Sequence, residues 1–506
     1  MAGIAFRAVF GWVLLAAALA TPVHASDIRV GIGALPADPG NPFNGFPTSD
    51  VRAALFDGLT RFDKDGKLAP ALATTWTNDT PTTWRFVLRR NVVFSNGEPF
   101  TAAAVVATVA WLQTADGQLT PAGNALKGVI AEEEDDHVVI LHSAYPDSIL
   151  PRRLAQVMIV APQAWGEMGP EAFAKTPATT GPFRAGDLRT SGKITLVANW
   201  DSWRKPMADR LILTAMPERL ARVKALLAGQ IDVAAHIGVE DIETLDKANL
   251  LTSVTPAMAV MAIAFRQAGG GESPLHDVRV RRALNYAIDK AALNQQLLRG
   301  LGAAVGQPAA RDVDGFNPDV TPYPYDPEKA KALLAEAGYG SGLKLRIAIA
   351  ADRYPGDRAL YQSLVEALAK VGVTLEVDTV ADEDWAKSVA SGVWTPEVDG
   401  FSLPFDAAST HDAITPLETY SCLKLVPFVC DQPLTARIVA AVTATGLEHR
   451  ANLLADLART FHDDPPALYL VDAFDLFGVG RKVEGFAVAD RVPVYENIAP
   501  APAARP

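Results

Sequence analysis

Leu343, Leu345, Ile347 and Ile349 alternate with polar or small residues, and the apolar period then changes. Leu360, Leu364, Leu368 and Val371 recur at helical spacing until Gly372, after which Val373, Leu375 and Val377 alternate again. A strand, a helix and a strand of this length predict a parallel crossover, because two parallel strands cannot be joined by a tight turn. The chain is therefore expected to be of the α/β class. Asp326-Pro327-Glu328 predicts the start of a further helix, with Ala330, Leu333, Leu334 and Ala337 on its apolar face and Gly338 closing it. Val280, Ala283, Leu284, Ala287 and Ile288 mark another.

The N-terminal half reads in the same terms. Ile28 to Ile32 and Trp84 to Leu88 are expected strands, Val51 to Leu59 a short helix, and Phe100-Thr101 the start of a helix reaching about Thr114. Ile194 to Val197 and Leu211 to Thr214 are further strand-like pieces. Phe62 to Leu68 contains Asp65-Gly66, a pair that takes the positive φ of a hairpin turn. The acidic run Glu132 to Asp136 precedes the alternating segment from Val138 to Leu141 and is expected to be a solvated turn.

Before all of this lies a segment of a different kind. Arg7 is the single charge ahead of an apolar run from Ala8 to Ala20, Thr21 and Pro22 break the run, and Val23-His24-Ala25 precedes Ser26. That pattern is expected of a secretory signal peptide cleaved after about Ala25. The run is shorter than the roughly 20 residues that span a bilayer, so stable membrane insertion is not expected. The residue directly after the cleavage point is Ser26 and not Cys, so no lipid anchor is expected there and the mature chain is expected to be free in a periplasm. The formal net charge is -12, and loss of Arg7 makes it -13. Such an acidic chain without basic blocks is poorly suited to phosphate backbones, so no nucleic-acid partner is expected. In an oxidising compartment Cys422 and Cys430 read as a disulfide around Pro427 and Phe428, with a metal or redox pair as the alternatives.

An ordered set of motifs then resembles one family. Leu55 to Leu59, Leu68 to Trp76, Phe86 to Ala102, Thr180 to Phe183, Asn199 to Trp203, Leu227 to Ala234, Asp277 to Asp289 and Tyr325 to Lys331 together are similar to the peptide/nickel group of periplasmic solute-binding proteins that serve ABC importers. The resemblance implies two α/β lobes joined by a hinge, with an extra subdomain on the first, closing over a small-molecule solute. The expected division is a signal peptide at 1–25, lobe I at 26–265 with an inserted subdomain at about 51–180, lobe II at 266–475, and a return to lobe I with a tail at 476–506. It also implies delivery to transmembrane permease subunits, no cofactor and no catalysis. A monomer is expected.

Residues carried over by the resemblance are fewer. Arg353, next to Tyr354, stands where dipeptide-binding relatives hold the ligand carboxylate, or else pairs with Asp352 or Asp357 at the surface. Asp399 to Asp406 resembles the stretch that receives a ligand amine, but Phe401 stands for a Trp and Pro404 for the expected Asp, leaving Asp406 as a substitute. Arg266 replaces an Asn near the hinge, which adds a positive anchor and shifts weight from plain peptides toward more anionic or neutral ligands. Trp385, Trp394, Phe401 and Phe405 are candidate apolar walls, or core. Nickel or a metal chelate is the alternative cargo, with His411-Asp412 as its single pointer. An exported hydrolase is the alternative activity, although the sequence contains no HExxH, GxSxG or phosphate loop.

Overall fold

A computed structural model describes residues 26–43, 50–188, 192–268 and 273–500. The expected signal peptide, the end of the Leu35 to Pro47 loop, Gly269 to Gly271 and the tail after Pro500 lie outside the described residues.

The chain opens with β1 (Asp27–Ile32), then forms a hairpin from β2 (Thr60–Phe62) and β3 (Leu68–Pro70). Gly66 takes φ 72° at the turn of that hairpin, as the Asp-Gly pair requires. β4 (Ala73–Thr80), β5 (Thr83–Leu88), β6 (Val129–Asp135) and β7 (Val138–Ser143) make a separate four-stranded antiparallel sheet in the order β4-β5-β7-β6. The acidic run is not a turn. Most of it lies within β6, and the reversal falls on Asp136-His137. As an edge strand, β6 gains from charges that discourage pairing with another sheet. Glu134 pairs with Arg85, and Glu132 lies 3.5 Å from His142.

The main sheet has two halves. On one side β8 (Phe183–Asp187), β9 (Lys193–Ala198) and β10 (Arg210–Ala215) continue from β1, and β11 (Val233–Ala234) pairs parallel to β1 on its other edge. Next to β11 lies β17 (Ala467–Val479) and then β12 (Leu251–Phe265), and beyond β12 come β15 (Gly400–Ser402), β13 (Leu343–Ile349) and β14 (Val373–Thr379), with β16 (Phe405–Asp406) also pairing β12. β13 pairs parallel with β14 from Leu343↔Val373 to Ile349↔Thr379, joined by the helix Asp357–Ala369, which is the expected crossover.

The two long antiparallel strands β12 and β17 tie the halves together. Leu251 pairs with Val479 beside β11, whereas Ala264 pairs with Ala467 beside β15. Their ladder shifts register between Pro256 and Val260, where Met258 takes φ 55°. A bulge bends and twists the strand that carries it, so the passage between lobes falls where the ladder is least regular.

Burial follows this division in part. One apolar cluster joins β1, the four-stranded sheet and the C-terminal residues Val488, Val492, Tyr495 and Ile498, which closes lobe I. Of two further clusters, one gathers around Leu345, Leu364 and Leu468 and continues along β12 and β17 to Leu226, Ala234 and Leu245, and the other gathers around Phe401, Phe405 and Tyr420 in lobe II. The chain is a two-lobed α/β protein.

Candidate functional site: the cleft between the lobes

β1 and β10 run parallel to each other in lobe I, as do β13 and β14 in lobe II, and the antiparallel pairings through β17 and β12 make the two sets run in opposite directions, so their carboxyl ends point at each other across the middle of those long strands. In open α/β sheets this is where ligands bind. Here it is also where the lobes face each other.

A polar cluster occupies the centre. Asp475 sits in β17 at 1 % exposure, and Arg491 donates to it through Nε at 2.7 Å and Nη2 at 3.1 Å. His236, just after β11, brings Nδ1 to 3.5 Å from the same carboxylate. Burial alone would raise the Asp475 carboxyl, but the charge of Arg491 and the two side-chain partners outweigh it and hold it well below the usual range. For Arg491, burial works against the charged form, and Asp475 more than compensates, so its pKa is raised. The guanidinium also lies 5.4 Å from the Tyr354 ring centroid. Asp406 faces the same group. Its side chain keeps exposed surface. Burial pushes its carboxyl up, and Arg491 opposes the shift.

Two cavities are lined by residues of both lobes. One, of about 520 Å³, is lined by Phe43, Arg52, Asp147, Arg153 and Gln156 from the lobe I side, and by Ser409, Thr410, Thr415, Glu418 and Val442 from lobe II. Arg153 lies between two acids, with Nε at 3.1 Å from Asp147 and Nη2 at 3.7 Å from Glu418. Burial pushes the Glu418 carboxyl up, with Arg153 opposing. Burial also holds Arg52 down to about 10, against the nearby charge of Asp490. Phe43 makes an apolar wall, stacked on Trp111 at 4.8 Å. The other cavity, of about 910 Å³, is bordered by Arg219, Arg222 and His236 from lobe I and by Arg353, Tyr354 and Arg358 from lobe II.

Of the residues singled out from sequence, Arg353 and Tyr354 line the larger cavity. Arg353 pairs with Asp382 at 3.1 Å rather than with Asp352 or Asp357, and its guanidinium stacks 3.9 Å from the Trp385 ring centroid. Asp406 joins the central cluster through Arg491. Three others stand elsewhere. Arg266 turns away at the end of β12, donating to the Val398 carbonyl at 2.8 Å and pairing with Glu397. Phe401 and Phe405, each 1 % exposed, belong to the lobe II core. Phe401 stacks on Trp394 at 4.9 Å and Phe405 on Tyr420 at 3.9 Å. Strand alternation cannot distinguish an inward from a cleft-facing aromatic.

Sequence reasoning missed Asp475, Arg491, His236, Arg153 and Glu418. One signal was available: Asp472 and Asp475 interrupt an otherwise apolar strand, and an acid there needs a partner. Cys422 and Cys430 are disulfide-bonded, and the loop they close carries Phe428, whose carbonyl accepts from Gln267 and Ala268 at 2.7 Å each. His411, the single pointer to nickel, is 1 % exposed. Its Nδ1 contacts the Gly66 carbonyl at 2.9 Å and its Nε2 contacts Asp490 at 3.2 Å, so neither ring nitrogen is open to a metal. Among the described residues no three His, Cys, Asp or Glu side chains are grouped to hold an ion.

Two lobes meeting over cavities at the carboxyl ends of their strands define a cleft-type binding protein. The chain belongs to a known family of these: residues 67–408 match the profile of the bacterial extracellular solute-binding proteins, family 5 Middle. It is 27 % identical over 469 residues to the heme-binding protein A of Haemophilus influenzae, covering 85 % of this chain and 84 % of that one. It is 26 % identical over 465 residues to the nickel-binding periplasmic protein of Escherichia coli, covering 83 % of each. The fold is similar to that of the periplasmic binding protein DppA of Helicobacter pylori in complex with a peptide, with a TM-score of 0.77, 20 % identity, and coverage of 94 % of this chain and 99 % of that one. These relatives are binding proteins, and no helix among the described residues is long and apolar enough to cross a membrane.

Proposed function

We propose that the protein, exported and cleaved before Ser26, captures a small organic solute between its lobes and delivers it to the permease of an ABC importer. The observation that carries this reading is the cavity of about 520 Å³ whose wall is shared by both lobes. Its size suits a small molecule, and only a closed arrangement completes it. A peptide or peptide-like solute is favoured because the wall combines apolar surface with both signs of charge, Arg52 and Arg153 against Asp147 and Glu418. Arg353, Tyr354 and Asp406 are assigned to the far side of the same cleft, with Trp385 backing Arg353. Lobe I comprises 26–265 and the return from 476, and lobe II comprises 266–475, with β12 and β17 serving both.

Native mass spectrometry of gently purified protein tests the reading. A retained small organic mass, which then raises Tm when added back, supports it, since a ligand that binds only the folded state stabilises that state. A retained nickel ion or chelate, or a solute returned hydrolysed, overturns it.

A further inference from the structure

Ile149 and Leu150 are chain neighbours that belong to different cores. Leu150 is fully buried in the lobe I cluster with Leu154 and Val157, whereas Ile149, 1 % exposed, is buried in the lobe II cluster with Ile414 and Leu417. The segment Asp147–Arg153, leaving the four-stranded sheet of lobe I, therefore inserts one apolar side chain into the opposite lobe. Polar contacts surround that knob. Ser148 donates to the Val442 carbonyl through its backbone nitrogen at 3.2 Å and its hydroxyl at 2.9 Å.

Arg152 extends the contact. Its Nη1 donates to the carbonyls of Thr410 at 3.1 Å and His411 at 3.4 Å, its Nη2 pairs with Asp314, and its Nε lies 3.9 Å from Asp412 Oδ2. Asp412 is fully buried. Its Oδ1 accepts from Arg450 at 2.7 Å and from the Ile414 nitrogen at 3.0 Å, while Oδ2 has no hydrogen-bond partner. Arg152 thus brings a cation to 3.9 Å from the unsatisfied oxygen of a buried acid, and it arrives from the other lobe. The same lobe II turn is gripped from its other side, where His411 stacks on Phe62 of lobe I with ring centroids 3.7 Å apart.

We infer that Asp147–Arg153 is a closure clasp, in which Ile149 as knob and Arg152 as charged hook hold the lobes together through contacts that need no solute. Arg152 is then a positioning residue. It does not line the cavity that Arg153 lines; it holds the Thr410 to Glu418 wall against the lobe I wall, and so sets the balance between open and closed forms. An apolar knob loses its burial on opening, and Asp412 loses its second cation, so both parts favour closure.

The test measures lobe separation without any solute, so it is independent of what the protein binds. Both native cysteines are engaged in the disulfide, so Leu119→Cys in lobe I and Leu447→Cys in lobe II, exposed at 85 % and 91 %, can each carry a spin label. Pulsed dipolar spectroscopy is expected to give one short distance in the otherwise unsubstituted protein. It should give a longer, broader distribution in Arg152→Ala and in Ile149→Ala, with Arg152→Lys between them. Unchanged distances in both alanine variants, or a long distance already present without them, overturn the inference. Ile149→Ala keeps the test decisive if Arg152→Ala folds poorly. A solute that fails to bind leaves the result standing, and a clasp that fails leaves the binding reading standing.

Discussion

Arg491 and Asp475 form a two-pronged ion pair at the centre of the cleft, with donor–acceptor distances of 2.7 and 3.1 Å and the acid 1 % exposed. Asp475 belongs to a strand crossing between the lobes, and Arg491 to the C-terminal return. The pair fixes that return against the hinge.

Removing one partner of such a pair leaves a buried charge uncompensated, so Arg491→Ala should cost about 3–5 kcal/mol in urea denaturation at neutral pH. The pH dependence carries a sign. The folded Asp475 carboxyl is held below its unfolded value, so its contribution is present above about pH 4 and is lost as pH falls further. The gap between the two proteins should therefore narrow in acid. A gap that widens there contradicts this account.

Lys290 is 3 % exposed, with Nζ bonded at 3.2 Å to the Asn285 carbonyl and 5.3 Å from the Tyr323 ring centroid. Burial pushes it down to about 7 from 10.5. Folding therefore favours the neutral amine, and the protein gains stability as pH rises from about 7 toward 10. Measured against Lys290→Met, that gain should be on the order of 4 kcal/mol. Equal slopes for the two proteins over this range would falsify it.

Asp472 is displaced in the other sense. Burial raises it to about 6, with Arg311, at 2.9 Å, opposing. A raised carboxyl stabilises the fold fully below its unfolded value and loses that contribution as pH climbs through about 6. Against Asp472→Asn, the native chain should lose roughly 3 kcal/mol between pH 4 and 7. Thermal melts across that window provide the check.

The Cys422–Cys430 bond closes a short loop, and Cys422→Ser with Cys430→Ser should lower stability by about 2–3 kcal/mol. Reductant should lower the Tm of the native chain and leave that of the double variant unchanged.

Ser409 lines the cavity of about 520 Å³ from lobe II. Ser409→Trp should occupy that space and abolish solute retention in native mass spectra, with little change in the Tm of solute-free protein. Retention at the native level would place the solute elsewhere.

Local rules made much of the scaffold legible. The alternation of Leu343 to Ile349 and of Val373 to Val377, with helical spacing between them, is the observed parallel pair and its crossover helix. Asp326 caps its helix by accepting from the Lys329 nitrogen at 2.9 Å. The acidic run was misread because charge at consecutive positions signals solvent, and an edge strand satisfies that as well as a turn does. The cleft was less legible. Apolar spacing placed Phe401 and Phe405 on strands but could not say which side of those strands meets the cavity. Arg353 is legible by position, yet its partners Asp382 and Trp385 come from the helix Asp382–Ser391, beyond the crossover helix and β14.

What the sequence by itself determined is the family, the α/β layering and the disulfide, because these depend on ordered motifs, side-chain period and the chemistry of a short cysteine loop. Only the tertiary structure decided which charges meet. His236 and Asp475 are brought together by adjacent strands from distant parts of the chain, and Arg152 reaches Asp412 by crossing from one lobe to the other. Coulomb and hydrogen-bond terms act over a few ångströms of space, and separation along the chain carries no record of them.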